Sequence, residues 1–264
     1  METQFFTTRV AELVGLHWIT VKSNALQKRA DISVFVPRGV VLEPGLPLVI
    51  LLHGVYGSHW AWAAQGHVHE TAQQLIDRGE IAPMILAMPS DGLFGDGSAY
   101  VPHQQENYES WIVEDVVQVM REQFPVITAD SPLFISGLSM GGFGALRLGA
   151  KYPGLFRAFS GLSSITHFEQ LQLFVADFPA LQTAALEQDG VFDWLQKNRE
   201  QIPPFRFDCG SEDLLIEHNR RLHQDLTALN IPHHYEEFPG GHSWEYWQTH
   251  IVKTLLFFNA QVIQ

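Results

Sequence analysis

The sequence predicts an α/β protein with a mainly parallel central sheet and helices on both of its faces. Two observations carry this. Short, nearly all-apolar runs recur at Leu48–Leu52, Met84–Met88, Leu133–Ser136, Phe156–Phe159 and Phe205–Phe207, and such runs suit strands buried on both faces. Helical patterns separate them, at His67–Arg78, Tyr108–Gln123, Met140–Tyr152, Leu215–Leu229 and Ser243–Phe258. Strand and helix alternating at this scale imply right-handed βαβ units.

The elements follow in order. The opening residues, Met1–Arg9, lack a basic segment followed by an apolar one and a small-residue cleavage site, so they do not read as a signal peptide, and a cytoplasmic protein is expected. Arg9–Val21 and Arg29–Pro37 are β-branched and partly alternating, which predicts N-terminal strands paired antiparallel. The parallel units come next, and Tyr235–Phe238 supplies the last strand before the final helix. Between Ser164 and Pro204 lies an insertion of mixed helical character, including Phe168–Phe178 and Val191–Asn198. It is expected to form a small cap that shapes specificity. No low-complexity tract or long linker interrupts the chain, and one domain over residues 1–264 is the simplest organisation.

Composition excludes several classes. Of 264 residues 46% are apolar, ample for a core, while 16 Lys and Arg face 29 Asp and Glu for a net charge of −13. That balance argues against a nucleic-acid partner, since phosphate binding needs clustered cations. The same charge repels anionic lipid and favours a neutral substrate over a polyanionic one. The apolar stretch Ile251–Ala260 contains Lys253 and Asn259 and falls short of the roughly 20 residues of a membrane span. Cys209 is the sole cysteine, which precludes an intrachain disulfide or a cysteine zinc cluster. A homo-oligomer is compatible with this composition.

Ligands of such sheets bind at the carboxyl ends of the strands, and chemistry is sought there. After Ser136 comes Gly137-Leu-Ser-Met-Gly-Gly-Phe-Gly-Ala145, a G-x-S-x-G segment between strand and helix. A serine on so sharp a turn takes strained angles, and glycines two before and two after it leave room for crossing backbones. Ser139 is thereby the candidate nucleophile, set at a helix N-terminus that favours developing negative charge. Ser160-Gly-Leu-Ser163 echoes the motif, but Ile165 replaces the second glycine, which argues against Ser163. A serine needs a base. His242, in Pro239-Gly-Gly-His-Ser-Trp244 after the last strand, is placed to serve. His233, His234 and His250 read as structural. The acid should follow the penultimate strand, and in Asp208-Cys-Gly-Ser-Glu-Asp213 the choice is Asp213, with Glu212 and Asp208 as competitors. Backbone N–H groups of Met140 and Val55 are the candidate oxyanion donors, Tyr56 being the alternative to Val55. His53 is expected to brace that loop.

In combination, Leu51-Leu-His-Gly-Val55, Pro89-Ser-Asp-Gly92, the Ser139 segment, Cys209-Gly-Ser-Glu-Asp213 and Gly240-Gly-His-Ser-Trp244 make the chain resemble the α/β-hydrolase esterases grouped with esterase D, feruloyl esterases, tributyrin-type esterases and the antigen 85 acyltransferases. The resemblance spans nearly the whole chain. It implies the α/β-hydrolase fold, hydrolysis of small-molecule carboxylic esters through an acyl-enzyme, Ser139, Asp213 and His242 as a triad, and no cofactor. S-formylglutathione hydrolases usually carry His on both sides of the serine turn and a Cys near the oxyanion loop. Leu138, Phe143 and the absence of such a cysteine argue against that subgroup. Tyr56, Trp60, Trp62, Trp244 and Trp247 lie near the active-site loops and are candidate substrate contacts for acetyl, aryl or sugar-ester groups. The segment Ser90–Asn107, with Asp91, Asp96, Tyr100 and His103, is a candidate rim.

Two rivals come from other classes. A metal-dependent hydrolase could draw on His53, His59, His67 and His69, but no H-E-x-x-H is present and the serine constellation would go unexplained, so no metal is expected. A non-catalytic binding module usually loses a triad member, and here all three candidates remain. Thioesterase and acyltransferase readings share the same triad and differ in the group admitted.

Overall fold

The structure, a computed structural model, describes residues 7–9, 15–91, 94–176, 178 and 190–262. Eleven strands are present among them: β1 Thr7–Arg9, β2 Leu16–Lys22, β3 Arg29–Phe35, β4 Leu48–Leu52, β5 Ile85–Pro89, β6 Pro102–His103, β7 Glu106–Asn107, β8 Leu133–Leu138, β9 Ala158–Leu162, β10 Phe205–Gly210 and β11 His234–Phe238. Nine form one sheet in the order β1-β2-β3-β5-β4-β8-β9-β10-β11, and β6 and β7 make a small hairpin. From β5 to β11 every pairing in that order is parallel, while β1, β2 and β3 pair antiparallel and β3 runs antiparallel to β5. The expected strand Arg9–Val21 is thus two, and residues 10–14 between them lie outside the described residues.

The all-apolar runs have a physical cause. In β4, Leu48, Ile50 and Leu52 enter one core cluster while Val49 and Leu51 enter a second on the opposite face. In β5, Ile85 and Ala87 face the first, Leu86 and Met88 the second. Both faces are covered, so neither tolerates polar residues. Helices α1 Ala61–Ala64 and α2 Val68–Asp77 cover the second face, joined by the long C-terminal helix Trp244–Val262. Over the first face lie α3 Tyr108–Ser110, a π-helical stretch Trp111–Val116 and α4 Val117–Gln123, which together fill the expected helix 108–123. They are joined there by α5 Met140–Lys151, α6 Val191–Lys197 and α7 Ile216–Ala228; the C-terminal helix is then α8.

Strand β10 departs from the apolar pattern. Phe205, Phe207 and Cys209 face the core, but Arg206 and Asp208 on its other face are also buried, paired at 2.8 Å. Arg206 also reaches Glu236 Oε2 at 2.8 Å and donates to Thr254 Oγ1 at 3.0 Å. Burial raises the Asp208 carboxyl from its ordinary 3.8 to about 6, against the pull of Arg206 and of the Tyr246 hydroxyl.

The insertion after β9 divides in two. A 3₁₀ helix, Phe168–Leu173, leads to Phe174 near the sheet's carboxyl edge. Helix α6 packs along α5, with Val191 and Leu195 in the core and Asn198 Nδ2 donating to Ala150 O at 2.8 Å. Residues 177 and 179–189 of the expected cap lie outside the described residues.

Candidate active site

Because the central strands are parallel, the loops after β4, β5, β8, β10 and β11 open at one edge of the sheet. Ser139 follows β8 directly, with φ 54° and ψ −117°. That left-handed backbone is costly for a residue with a Cβ, and its surroundings hold it there. Its N–H donates to Leu162 O at 2.9 Å, and its carbonyl accepts from Ile165 N and Phe143 N, each at 3.1 Å. The two flanking glycines are sterically obligatory. A Cβ on Gly137 would stand 2.2 Å from Gly141 O, and one on Gly141 2.3 Å from Leu52 O.

Asp213 and His242 reach Ser139 because their loops prolong the β10–β11 pairing. Gly210 pairs with Phe238 in register, then Ser211 N donates to Phe238 O at 2.8 Å and Glu212 N to Gly240 O at 2.9 Å. His242 Nε2 stands 3.0 Å from Ser139 Oγ, and His242 Nδ1 lies 2.9 Å from Asp213 Oδ2 and 3.0 Å from Oδ1. Leu215 N donates to Asp213 Oδ1 at 2.8 Å, fixing the buried carboxylate. An ionised Asp213 accepts from Nδ1–H, which leaves Nε2 as the acceptor for the serine hydroxyl.

The competing acids are elsewhere. Glu212 is exposed, and Asp208 Oδ1 accepts from the Tyr246 hydroxyl at 2.9 Å beneath the histidine loop. Ser163 also has a positive φ, 44°, yet it is buried, with its N–H on Asp208 O at 2.8 Å. Cys209 is buried in β10, and desolvation pushes its thiol pKa far up.

The candidate oxyanion loop after β4 lies against the serine: a Cβ on Gly54 would be 3.4 Å from Ser139 Cβ. Tyr56 N–H donates to Asp96 O at 2.8 Å, so it is already engaged. Among the described residues neither Val55 N–H nor Met140 N–H, the first of α5, finds an acceptor. His53 holds the loop: Nδ1–H donates to Gly54 O at 2.7 Å, Nε2 accepts from Asp91 N at 3.1 Å, and its carbonyl takes the Tyr100 hydroxyl at 3.0 Å. His59 bonds instead to Ser33 Oγ at 2.8 Å, while His67 and His69 flank Glu70.

Ser139 lies in a cleft of about 380 Å³ walled by Val55, Tyr56, Trp60, Phe174, Trp244 and Trp247. Four of the five expected aromatic contacts line it. Trp62 does not; it is 1% exposed, its indole N–H donates to Leu52 O at 2.9 Å, and it meets Trp244 edge-on. The i and i+2 residues of a helix face apart, so Trp60 and Trp62 part ways. Phe174 takes the vacated role: its ring stacks on His242 at 5.3 Å, and its carbonyl accepts from the Tyr56 hydroxyl. No sequence signal marks Phe174, because its contact is with residues more than sixty positions away. Of the candidate rim, Asp91 accepts from Ser98 N at 2.8 Å and His103 Nε2 meets Ser98 O at 2.9 Å, so these side chains stiffen the segment internally.

A family model described as "Putative esterase" matches residues 23–258. An acetyl esterase of Caldicellulosiruptor saccharolyticus is 28% identical over 260 residues, covering 88% of this chain and 94% of that one. Among solved structures, a ferulic acid esterase superposes with a TM-score of 0.81 at 22% identity, over 97% of this chain and 99% of the other. An S-formylglutathione hydrolase from Agrobacterium tumefaciens gives 0.78 at 19% identity, over 96% and 98%. Among the described residues no helix is long and apolar enough to cross a membrane.

Proposed function

The chain belongs to this esterase family and is a serine carboxylesterase, and from that premise we propose that Ser139, His242 and Asp213 carry out the hydrolysis of short-chain acyl or aryl esters. The observation that carries the reading is the continuous hydrogen-bond line from Ser139 Oγ through His242 to Asp213, at 3.0 and 2.9 Å, in the floor of an aromatic cleft. Ser139 Oγ attacks the ester carbonyl as His242 Nε2 takes its proton, and Asp213 stabilises the resulting imidazolium. Negative charge on the former carbonyl oxygen meets the N–H groups of Val55 and Met140 and the positive end of α5. His242 then protonates the departing alkoxide. Water, deprotonated by the same nitrogen, attacks the acyl-enzyme and returns Ser139. Aromatic walls bury the apolar part of the substrate.

Reaction with a fluorophosphonate tests the assignment. Label is expected on Ser139 of the wild type and absent from Ser139→Ala, which also loses turnover of 4-nitrophenyl acetate while melting cooperatively. A folded wild type that stays unlabelled would refute the reading. An ester panel of acetyl, butyryl and feruloyl groups with one thioester then ranks the acyl and leaving groups.

A further inference from the structure

Asp208 is not the acid of the proposed relay, yet its bonds lead toward all three of its members. The side chain is fully buried, with Oδ1 accepting the Tyr246 hydroxyl at 2.9 Å and Oδ2 paired with Arg206 Nη1 at 2.8 Å. Burial, and then the charge of Asp208, push the Tyr246 hydroxyl pKa far up, so it stays a donor. Tyr246 stands in the first turn of α8, just past the histidine loop. That turn is capped by Ser243, whose carbonyl takes the Trp247 N–H at 3.2 Å and whose hydroxyl takes the Tyr246 N–H at 3.4 Å. The Tyr246 ring also lies against the loop: a Cβ on Gly240, which has φ 129°, would stand 2.9 Å from Tyr246 Cδ2. Trp247, the next residue, meets the His242 imidazole edge-on at 5.0 Å. The far end of the bond is equally well connected. Asp208 lies in β10, the strand that leads to Asp213, and its carbonyl accepts from Ser163 N at 2.8 Å, while Leu162 O and Ile165 N hold the Ser139 backbone at 2.9 and 3.1 Å.

We propose that Tyr246 and Asp208 are positioning residues for the base: their hydrogen bond holds the first turn of α8 against β10 and so sets His242 Nε2 within reach of Ser139 Oγ. The backbone bond from Glu212 N to Gly240 O ties the loop to β10 at one point, and the side-chain bond is a second tie. One tie leaves a hinge, whereas two fix an orientation. Stability alone does not account for the arrangement, because a buried carboxylate and guanidinium are costly to desolvate and an apolar pair would fill the same volume without that cost. Proton transfer depends steeply on placement, so a turn that drifts by a fraction of an ångström slows the chemistry. Tyr56, Trp60 and Phe174 wall the cleft from other segments, hence substrate binding should change less than turnover. The inference rests on the catalytic reading given above and deepens it.

The test measures kcat and KM for 4-nitrophenyl acetate, and the rate of fluorophosphonate labelling, at about pH 8, where Asp208 is ionised. Tyr246→Phe, Asp208→Asn and the double variant are compared with the wild type. Tyr152→Phe is the control, since it removes a hydroxyl bonded to the buried Glu109 at the end of α5 remote from Ser139. Each single variant is expected to lose about tenfold in kcat with KM within about twofold, and to be labelled correspondingly more slowly. The double variant should be no slower than the singles, because both remove the same bond. Tyr152→Phe should lower the melting temperature and leave kcat unchanged. Should Asp208→Asn fail to fold around Arg206, Tyr246→Phe decides alone, as it keeps the carboxylate and its ion pair. A kcat within about twofold of wild type in folded Tyr246→Phe, losses that multiply in the double variant, or an equal loss in Tyr152→Phe overturns the positioning role while the serine assignment stands. Absence of labelling in the wild type would instead sink the catalytic reading and the positioning role with it.

Discussion

Replacing Asp213 by Asn changes one atom, and the structure indicates which one. Oδ1 accepts the Leu215 N–H at 2.8 Å, and only an oxygen can accept there. The amide oxygen of the substituted side chain therefore takes that place, and its NH₂ falls where Oδ2 stood, 2.9 Å from His242 Nδ1. An NH₂ donates, so Nδ1 becomes the acceptor and the proton moves to Nε2. That nitrogen, 3.0 Å from Ser139 Oγ, then cannot accept the serine proton. Two contributions are lost together, the correct tautomer and the carboxylate opposite the imidazolium. In serine hydrolases with this relay the combination costs about 10⁴ in kcat, or ~5 kcal/mol of transition-state stabilisation. Steady-state hydrolysis of 4-nitrophenyl acetate measures it, with thermal melting to show that the buried site still folds. Glu212→Gln is the control and should retain activity within about twofold, because an exposed side chain away from the relay contributes little. Should Asp213→Asn keep more than about a tenth of wild-type kcat, the relay does not run through Asp213.

Further outcomes follow from the same geometry. Gly141→Ala places a Cβ 2.3 Å from Leu52 O and 2.6 Å from His53 O, both backbone atoms at the root of the oxyanion loop. Expected are a loss of ~1–3 kcal/mol in stability by denaturant titration and a far larger loss of activity; unchanged activity would mean that the loop yields freely. Phe174→Ala removes the ring stacked on His242 but keeps the backbone carbonyl that accepts from Tyr56. KM for aryl esters should rise about fivefold with kcat changed less, as for the loss of one aromatic contact, and an unaltered KM would remove Phe174 from the substrate wall. Asp208 gives a pH signature. Its folded pKa of about 6 lies above the ordinary 3.8, so the native state holds its proton longer than the unfolded chain does. Its contribution is present below pH 3.8 and is lost as pH rises to about 6, amounting to ~3 kcal/mol. The stability of the wild type relative to Asp208→Asn should fall between about pH 4 and pH 7, and a difference that rises or stays flat contradicts the burial argument.

Much of the site was legible because strain and close approach restrict residue type locally. Only glycines fit at 137 and 141, and the serine between them sits on a turn that a strand and a helix announce on either side. Chain order then located the candidate acid and base, since each follows one of the last two strands of the sheet. Within Asp208–Asp213 the sequence favours Asp213 over Glu212 and Asp208, and the fold supplies the separation: alternation turns Asp208 toward Tyr246 and Arg206, while the continued β10–β11 pairing sets Asp213 against His242. Val55 rather than Tyr56 is left as the open N–H because Asp96, forty residues on, takes the Tyr56 amide.

The sequence by itself determined the sheet, the serine turn and the order of the catalytic candidates, because these depend on period, on glycine sterics and on neighbours within a few residues. Tertiary structure decided which aromatics wall the cleft: Tyr56, Trp60, Trp244 and Trp247 line it as expected, while Trp62 does not. It buried Trp62 against Leu52, brought Phe174 over His242 and set the Phe174 carbonyl on the Tyr56 hydroxyl. Those contacts join residues from ten to more than a hundred positions apart, and a side chain's partner across such a distance is set by how the layers pack.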